Sequence, residues 1–257
     1  FLASVSHELR TPLTAIVGFA EMIAREQLGA IAEKRYPGYA EDIIRSAQRL
    51  QHILSDILDM AQLESGRMRV QRESLTLAEV AEEALAQVGD RAPAKAAPIA
   101  VKLGNHLPRV WTDRARLRQI LLNLVSNALA FTAEDGTVVV SACLLPGGDM
   151  EISVADSGRG MTPEEVRRAV TRFGHADDEQ SRGHQGIGLG LPLAKSLTQL
   201  LGGTMRIASV RGEGTTVTLR FPPEAISENA IAWKRPADRM AERRRRLLGA
   251  EAATEEA

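Results

Sequence analysis

One cysteine, Cys143, stands in the 257-residue chain. That excludes an intrachain disulfide framework and any Cys-based zinc site. Charge of one sign is not in excess either: 32 Lys and Arg set against 33 Asp and Glu leave a net charge of −1. A near-neutral chain gives no electrostatic ground for wholesale nucleic-acid binding. No apolar run approaches the roughly 20 residues needed to span a bilayer, and no signal-peptide pattern opens the chain. An initial Met is missing, and the sequence starts directly in a helical pattern. We read it as a cytoplasmic fragment without membrane contact of its own, cut from a protein that could be anchored further N-terminal. What remains is 44% hydrophobic and 25% charged. This is the balance of an ordinary soluble globular protein, and it argues against disorder for most of the length.

Periodicity divides the chain in three. In residues 1 to about 27, Val5, Leu9, Leu13, Ile16, Ala20 and Ile23 fall at helical spacing. After a short Gly-containing stretch, Ile43, Ala47, Leu50, Leu54, Ile57, Leu58 and Ala61 recur at three- and four-residue steps, with Gly66 as the stop. Two long helices joined this way form an antiparallel hairpin, which cannot bury both apolar stripes by itself. Pairing two hairpins into a four-helix bundle can, so residues 1–66 are expected to form a homodimer. The alternative is a hairpin packed on its own C-terminal domain.

Residues 67–222 alternate. Strands are expected at 69–76, 98–103, 109–112, 137–145, 150–155, 204–209 and 214–221, and helices at 77–89, 163–172 and 188–202, with one more opening at an Asp113 N-cap. This is an α+β layer, one sheet with helices on one face. Residues 223–257 carry Arg243 to Arg246 and an acidic, alanine-rich end, and read as a solvated helix or linker.

The first helix contains Ser6-His7-Glu8-Leu9-Arg10-Thr11-Pro12. His7 lies at the border of the apolar stripe, where an imidazole can be both exposed and held in one orientation. As a nucleophile it must be neutral at one nitrogen, and a carboxylate can fix its tautomer and take its proton. Glu8 is the candidate, although adjacent helix positions do not face each other. Thr11 is one turn on, on the same face, with a hydroxyl that could orient a water.

Four pieces follow in the second region. Asn123 and Asn127 share a helix face, and their amide oxygens can hold Mg²⁺ together with phosphate oxygens; paired Asn also serve as caps or surface groups. In Asp156-Ser-Gly158-Arg-Gly160-Met161, after a strand, the carboxylate can accept from an adenine amino group, though such a Gly-x-Gly is often only a turn. Gly186-Ile-Gly188-Leu189-Gly190-Leu191 opens a helix whose backbone N–H groups can cradle phosphates. Gly214-Thr215-Thr216 lies in the closing hairpin.

In this order the segments resemble the H, N, G1, F and G2 boxes of sensor histidine kinases. These pair a dimerisation and phosphotransfer domain with a Bergerat (GHKL) ATP-binding domain, the fold shared with gyrase and MutL. The likeness covers about 1–222, and the H-box and lid wording is closest to cell-cycle kinases of the PleC/DivJ type. The resemblance implies that His7 accepts the γ-phosphoryl group of ATP, that Glu8 acts as general base and that Thr11 assists dephosphorylation of the partner. It implies an ATP and Mg²⁺ site built from Asn123, Asn127, Phe131, Asp156, Gly158, Gly160, Arg172, Phe173, Gly186, Gly188, Leu189, Gly190 and Thr215, with a mobile lid from Gly174 to about Gln185. The implied partner is the receiver domain of a response regulator, whose Asp takes the phosphoryl group.

Hydrolysing relatives carry Glu at the position of Asn123; its absence favours phosphotransfer over hydrolysis. The Lys or Arg frequent three residues after the second Asn is Ala130 here, with Arg172, His175 or Arg182 as substitutes. Val170 and Arg172 also depart from the F-box. Ala130 motivates an alternative, a kinase-poor member acting mainly as a phosphatase. A nucleotide-gated scaffold without phosphoryl transfer is the other.

Overall fold

The computed structural model describes residues 35–89, 96–104, 107–171 and 188–226, and most of 11–23. A first helix, α1, runs through the described residues of 11–23. The second, α2 (Arg35–Glu64), is 30 residues long. Phe19 stacks on Tyr39 with ring centroids 5.5 Å apart and planes 13° from parallel, so the two helices lie side by side. The end of α2 is closed by a Schellman turn. Gly66 takes φ 63°; its N–H donates to Leu63 O at 3.1 Å, and the Arg67 N–H donates to Gln62 O at 3.0 Å.

The α/β region runs β1 (Glu73–Leu75), α3 (Leu77–Gly89), β2 (Ile99–Leu103), β3 (Val110–Thr112), α4 (Arg114–Phe131), β4 (Val138–Leu144), β5 (Met150–Asp156), α5 (Pro163–Ala169), α6 (Gly190–Leu200), β6 (Thr204–Val210), β7 (Gly214–Phe221) and α7 (Pro223–Ile226). Instead of one sheet there are two. The larger has five strands in the order β2-β4-β5-β7-β6, and β1 pairs β3 in a separate two-stranded ribbon. Only β2 and β4 run parallel; the other neighbours are antiparallel. The expected strand at 69–76 contracts to three residues because its partner β3 is equally short.

The large sheet buries alternate residues: Val138, Val140 and Ala142 from β4, Met150, Ile152 and Val154 from β5, and Val217, Leu219 and Phe221 from β7. Against them lie Leu117, Ile120, Leu121, Leu124 and Val125 of α4 and Leu193, Ala194 and Leu197 of α6, all buried in one cluster. Each large apolar side chain so buried contributes about 1.5–3 kcal/mol. The buried residues of α4 recur at three- and four-residue steps, one face of a helix.

Two features depart from the expected organisation. First, α2 docks on its own α/β region. Ile53, Met60 and Met68 join the common core. Asp59 accepts from Arg116 Nη1 at 3.2 Å and from Gln119 Nε2 at 2.7 Å, both on α4. The hairpin-on-domain alternative therefore holds for this part of α2, while Ile44, Leu54 and Leu58 stay more than half exposed on the same helix. Second, Pro223–Ile226, expected in the solvated tail, form a turn on the body. Ala225 and Ile226 are buried there, and Arg72 Nη1 donates to Ala225 O at 3.0 Å. Among the described residues no helix is long and apolar enough to cross a membrane.

Candidate functional site

The site is built outward from α4. Asp113 caps it: Oδ1 accepts the Arg116 N–H at 3.0 Å, and Oδ2 accepts the Gln71 N–H at 2.8 Å. That fixes the start of the helix and hence the rotation of its faces. Asn123 and Asn127, four residues apart, then share one face of the helix, both half-buried. The Asn123 Nδ2 atom is buried and has no hydrogen-bond partner among the described residues. Such a group costs about 1–3 kcal/mol until an acceptor reaches it. Beside it, a methyl at Gly190 would come within 3.2 Å of Asn127 Nδ2, so the missing side chain lets α6 begin against this asparagine.

The start of α6 carries no side-chain cap. Gly188 is left-handed at φ 71°, and the N-cap Leu189 offers no side-chain hydrogen bond. The Gly190 and Leu191 amides stand in the first turn without an intrahelical acceptor, at the positive end of the dipole, while Pro192 has no N–H to offer. Leu189 is buried and anchors the turn.

Asp156 ends β5 opposite Val138 and Thr215. Its Oδ1 accepts the Gly158 N–H at 2.9 Å and the Thr215 N–H at 3.2 Å. Burial nevertheless pushes the carboxyl above its ordinary pKa, outweighing those two amides. The 157–161 loop is held close. A side chain at Gly158 would run into the Phe131 carbonyl oxygen, and one at Gly160, which is left-handed at φ 61°, into that of Val210. The loop is also stitched to the β6–β7 hairpin. Gly212 N donates to Arg159 O at 2.7 Å, Met161 N donates to Ser209 Oγ at 2.8 Å, and Ser209 Oγ shares a 2.8 Å bond with Thr215 Oγ1.

These contacts make one continuous strip: Gly190, Asn127, Phe131, Gly158, Asp156, Thr215. The structure thus brings together the residues expected from the N, G1 and G2 segments and the glycine-rich helix start. Thr11 is described and exposed on α1. His7, Glu8, Arg172, Phe173, Gly186 and the 174–185 stretch lie outside the described residues. Two participants went unassigned in the sequence. Ser209 ties the strip together through its hydroxyl, and nothing in a Thr-Met-Arg-Ile-Ala-Ser-Val strand marks it. Arg159 was legible only as a cation between two glycines; its guanidinium carbon stands 4.8 Å from the centre of the Phe131 ring.

Comparison with known proteins agrees with this geometry. Residues 1–66 match the His Kinase A (phospho-acceptor) domain. Residues 112–225 match the histidine kinase-, DNA gyrase B- and HSP90-like ATPase family. A Non-motile and phage-resistance protein of Caulobacter vibrioides is 42% identical over 86% of this chain and 27% of its own length. The cell-division control histidine kinase PdhS of Brucella anthropi is 37% identical over 88% of this chain and 22% of its own. Among solved structures, full-length ShkA in complex with AMPPNP aligns with a TM-score of 0.63 and 28% identity, covering 86% of this chain and 45% of that one. The chain spans about a quarter of the length of these two curated relatives.

Proposed function

Given that the chain belongs to the histidine kinase family, we propose that it is the core of a sensor kinase in which ATP phosphorylates His7 and a response-regulator Asp then receives the phosphoryl group. The observation that supports this most is the strip, with a buried amide donor at Asn123, a helix start without a side-chain cap beside Asn127 and a desolvated carboxylate at Asp156. In this reading the adenine amino group donates to Asp156, and the α6 amides and the two asparagines meet the phosphates. The amide oxygens of Asn123 and Asn127 suit Mg²⁺, which when bound would screen charge between phosphate oxygens. A nitrogen of His7 attacks the γ-phosphorus, the bond to the bridging oxygen breaks, ADP leaves, and Glu8 takes the imidazole proton. Thr11 serves the reverse, phosphatase direction. With Asn rather than Glu at position 123, no carboxylate stands there to activate water.

The functional units are residues 1–66 for dimerisation and phosphotransfer and 67–222 for catalysis, and of the tail expected at 223–257 the first four residues belong with the catalytic body. The exposed Ile44, Leu54 and Leu58 on α2 supply the apolar face of a homodimer. Incubation with γ-labelled ATP tests the reading. The expected label is acid-labile, absent from His7→Gln, and passes to an isolated receiver domain. If ATP binds but His7 stays unlabelled while the phosphorylated receiver decays faster with the protein than without it, the phosphatase reading motivated by Ala130 replaces this one.

A further inference from the structure

Residues 67–71 join α2 to the α/β region, and their burial alternates. Met68 is buried and Val70 half-buried, whereas Arg67, Arg69 and Gln71 are exposed, the period of two that an extended segment gives. The segment is fixed along its length. The Arg67 N–H donates to Gln62 O at 3.0 Å, Met68 is set in the common core, and the Gln71 N–H donates to Asp113 Oδ2 at 2.8 Å. Two guanidiniums and an amide are therefore carried along one side of a pinned backbone.

That side forms one wall of a cleft of about 370 Å³, which Gln62 at the end of α2 and Ala115 and Arg116 on the first turn of α4 complete. The volume is that of a small-molecule site. Three of the lining side chains are guanidiniums. The carboxylate among them, Asp113, is buried, and both its oxygens are engaged by the Arg116 and Gln71 amides. Arg116 has Asp59 as a partner at 3.2 Å. The side chains of Arg67 and Arg69 make no hydrogen bond or ion pair among the described residues. Ala115 adds little bulk to the facing wall. Like charges lining one cleft repel each other, and an anion between them turns that repulsion into attraction. Guanidinium forks match phosphate oxygens two at a time, and the Gln62 and Gln71 amides offer neutral donors beside them.

We propose that this cleft is a binding site for a small phosphate-bearing ligand, which bridges Arg67 and Arg69 to Arg116 and so holds the 67–71 segment against α4. The cleft opens at the first turn of α4, about 16 Å along the helix axis from Asn127, and stands whether or not the nucleotide strip takes ATP. Inorganic pyrophosphate is the probe, titrated calorimetrically into the chain in Mg²⁺-free buffer, with sodium chloride of equal ionic strength as the blank. Saturable binding is expected in the parent. Arg67→Gln and Arg69→Gln are each expected to weaken it about tenfold, the loss of one charge-assisted contact. Both positions are exposed and unpaired, so melting temperatures should stay at the parent's value. Asn127→Ala is expected to bind pyrophosphate as the parent does. At about ten times its Kd, pyrophosphate is expected to slow proteolysis near residues 64–68 about tenfold, because the opened segment does not bind it. Absence of saturable binding overturns the proposal. So does undiminished affinity when both arginines are glutamine, a loss confined to Asn127→Ala, or unslowed cleavage at saturation.

Discussion

Replacing Asp156 by asparagine separates what this residue does for the fold from what it does for the ligand. The Gly158 and Thr215 amides both aim at Oδ1, so they dictate that an asparagine keeps its oxygen there and places its NH₂ where Oδ2 was. The fold loses no hydrogen bond. The ligand does: an adenine amino group then faces another donor. An unmade buried bond of this kind costs about 1–3 kcal/mol, or roughly 5- to 150-fold in ATP affinity. Stability moves the other way. Burial holds the carboxyl above its ordinary pKa, so the folded chain binds this proton more tightly than the unfolded chain does. The ionised form is therefore a burden at neutral pH, and the burden fades as pH falls through the raised folded-state pKa toward the ordinary aspartate range. Asp156→Asn should melt at or above the parent at neutral pH, with the gap closing on acidification. Titration calorimetry and thermal melts from neutral to acidic pH measure both. Parental ATP affinity in Asp156→Asn would refute the reasoning, as would a variant that loses binding only because it melts lower.

Other perturbations probe the scaffold around this carboxylate. Gly158→Ala places a methyl against the Phe131 carbonyl; steric overlap of this kind costs about 1–3 kcal/mol and should lower ATP affinity and melting temperature together, read by the same two assays. Asp59→Ala strips Arg116 and Gln119 of their shared acceptor in a half-buried contact; urea unfolding should show a loss of about 1–3 kcal/mol and, through release of α2 from α4, faster proteolysis near residues 64–68. Leu58→Glu puts a charge on the exposed face of α2; sedimentation should report a monomer in place of a dimer, with intrachain stability within about 0.5 kcal/mol of the parent.

What the sequence disclosed was mostly local. Asp113 three residues before Arg116 is a cap that needs only its own turn, and it forms. The α4 stripe follows from 3.6-residue spacing, and Gly66 from the need for a left-handed residue after a helix. Boundaries at glycines were less legible. The helix expected from 188 begins at Gly190, because Gly188 is left-handed and cannot belong to it. Long-range pairings left no local signal. Ile99–Leu103 has no alternation that says it lies parallel to β4, and β1 and β3 are too short to announce a ribbon of their own. An amphipathic stripe on α2 names an apolar face, not its partner; the burial of Ile53 and Met60 and the bonds of Asp59 to Arg116 and Gln119 show which part meets the α/β region. At the site, the motif segments pointed to the strip, whereas Ser209 and the seat of Arg159 depend on the hairpin and loop meeting in space.

The account stands or falls on where the γ-phosphoryl group goes. Alkaline-quenched peptide mapping after incubation with Mg–ATP locates it directly. The expected product is a single phosphoramidate on the peptide containing His7, formed only at higher ATP concentration when Asp156 is asparagine and missing when His7 is glutamine. Phosphate released to water at the parent's full turnover with His7 unmodified, or label stable to acid on a hydroxyl side chain, would contradict it.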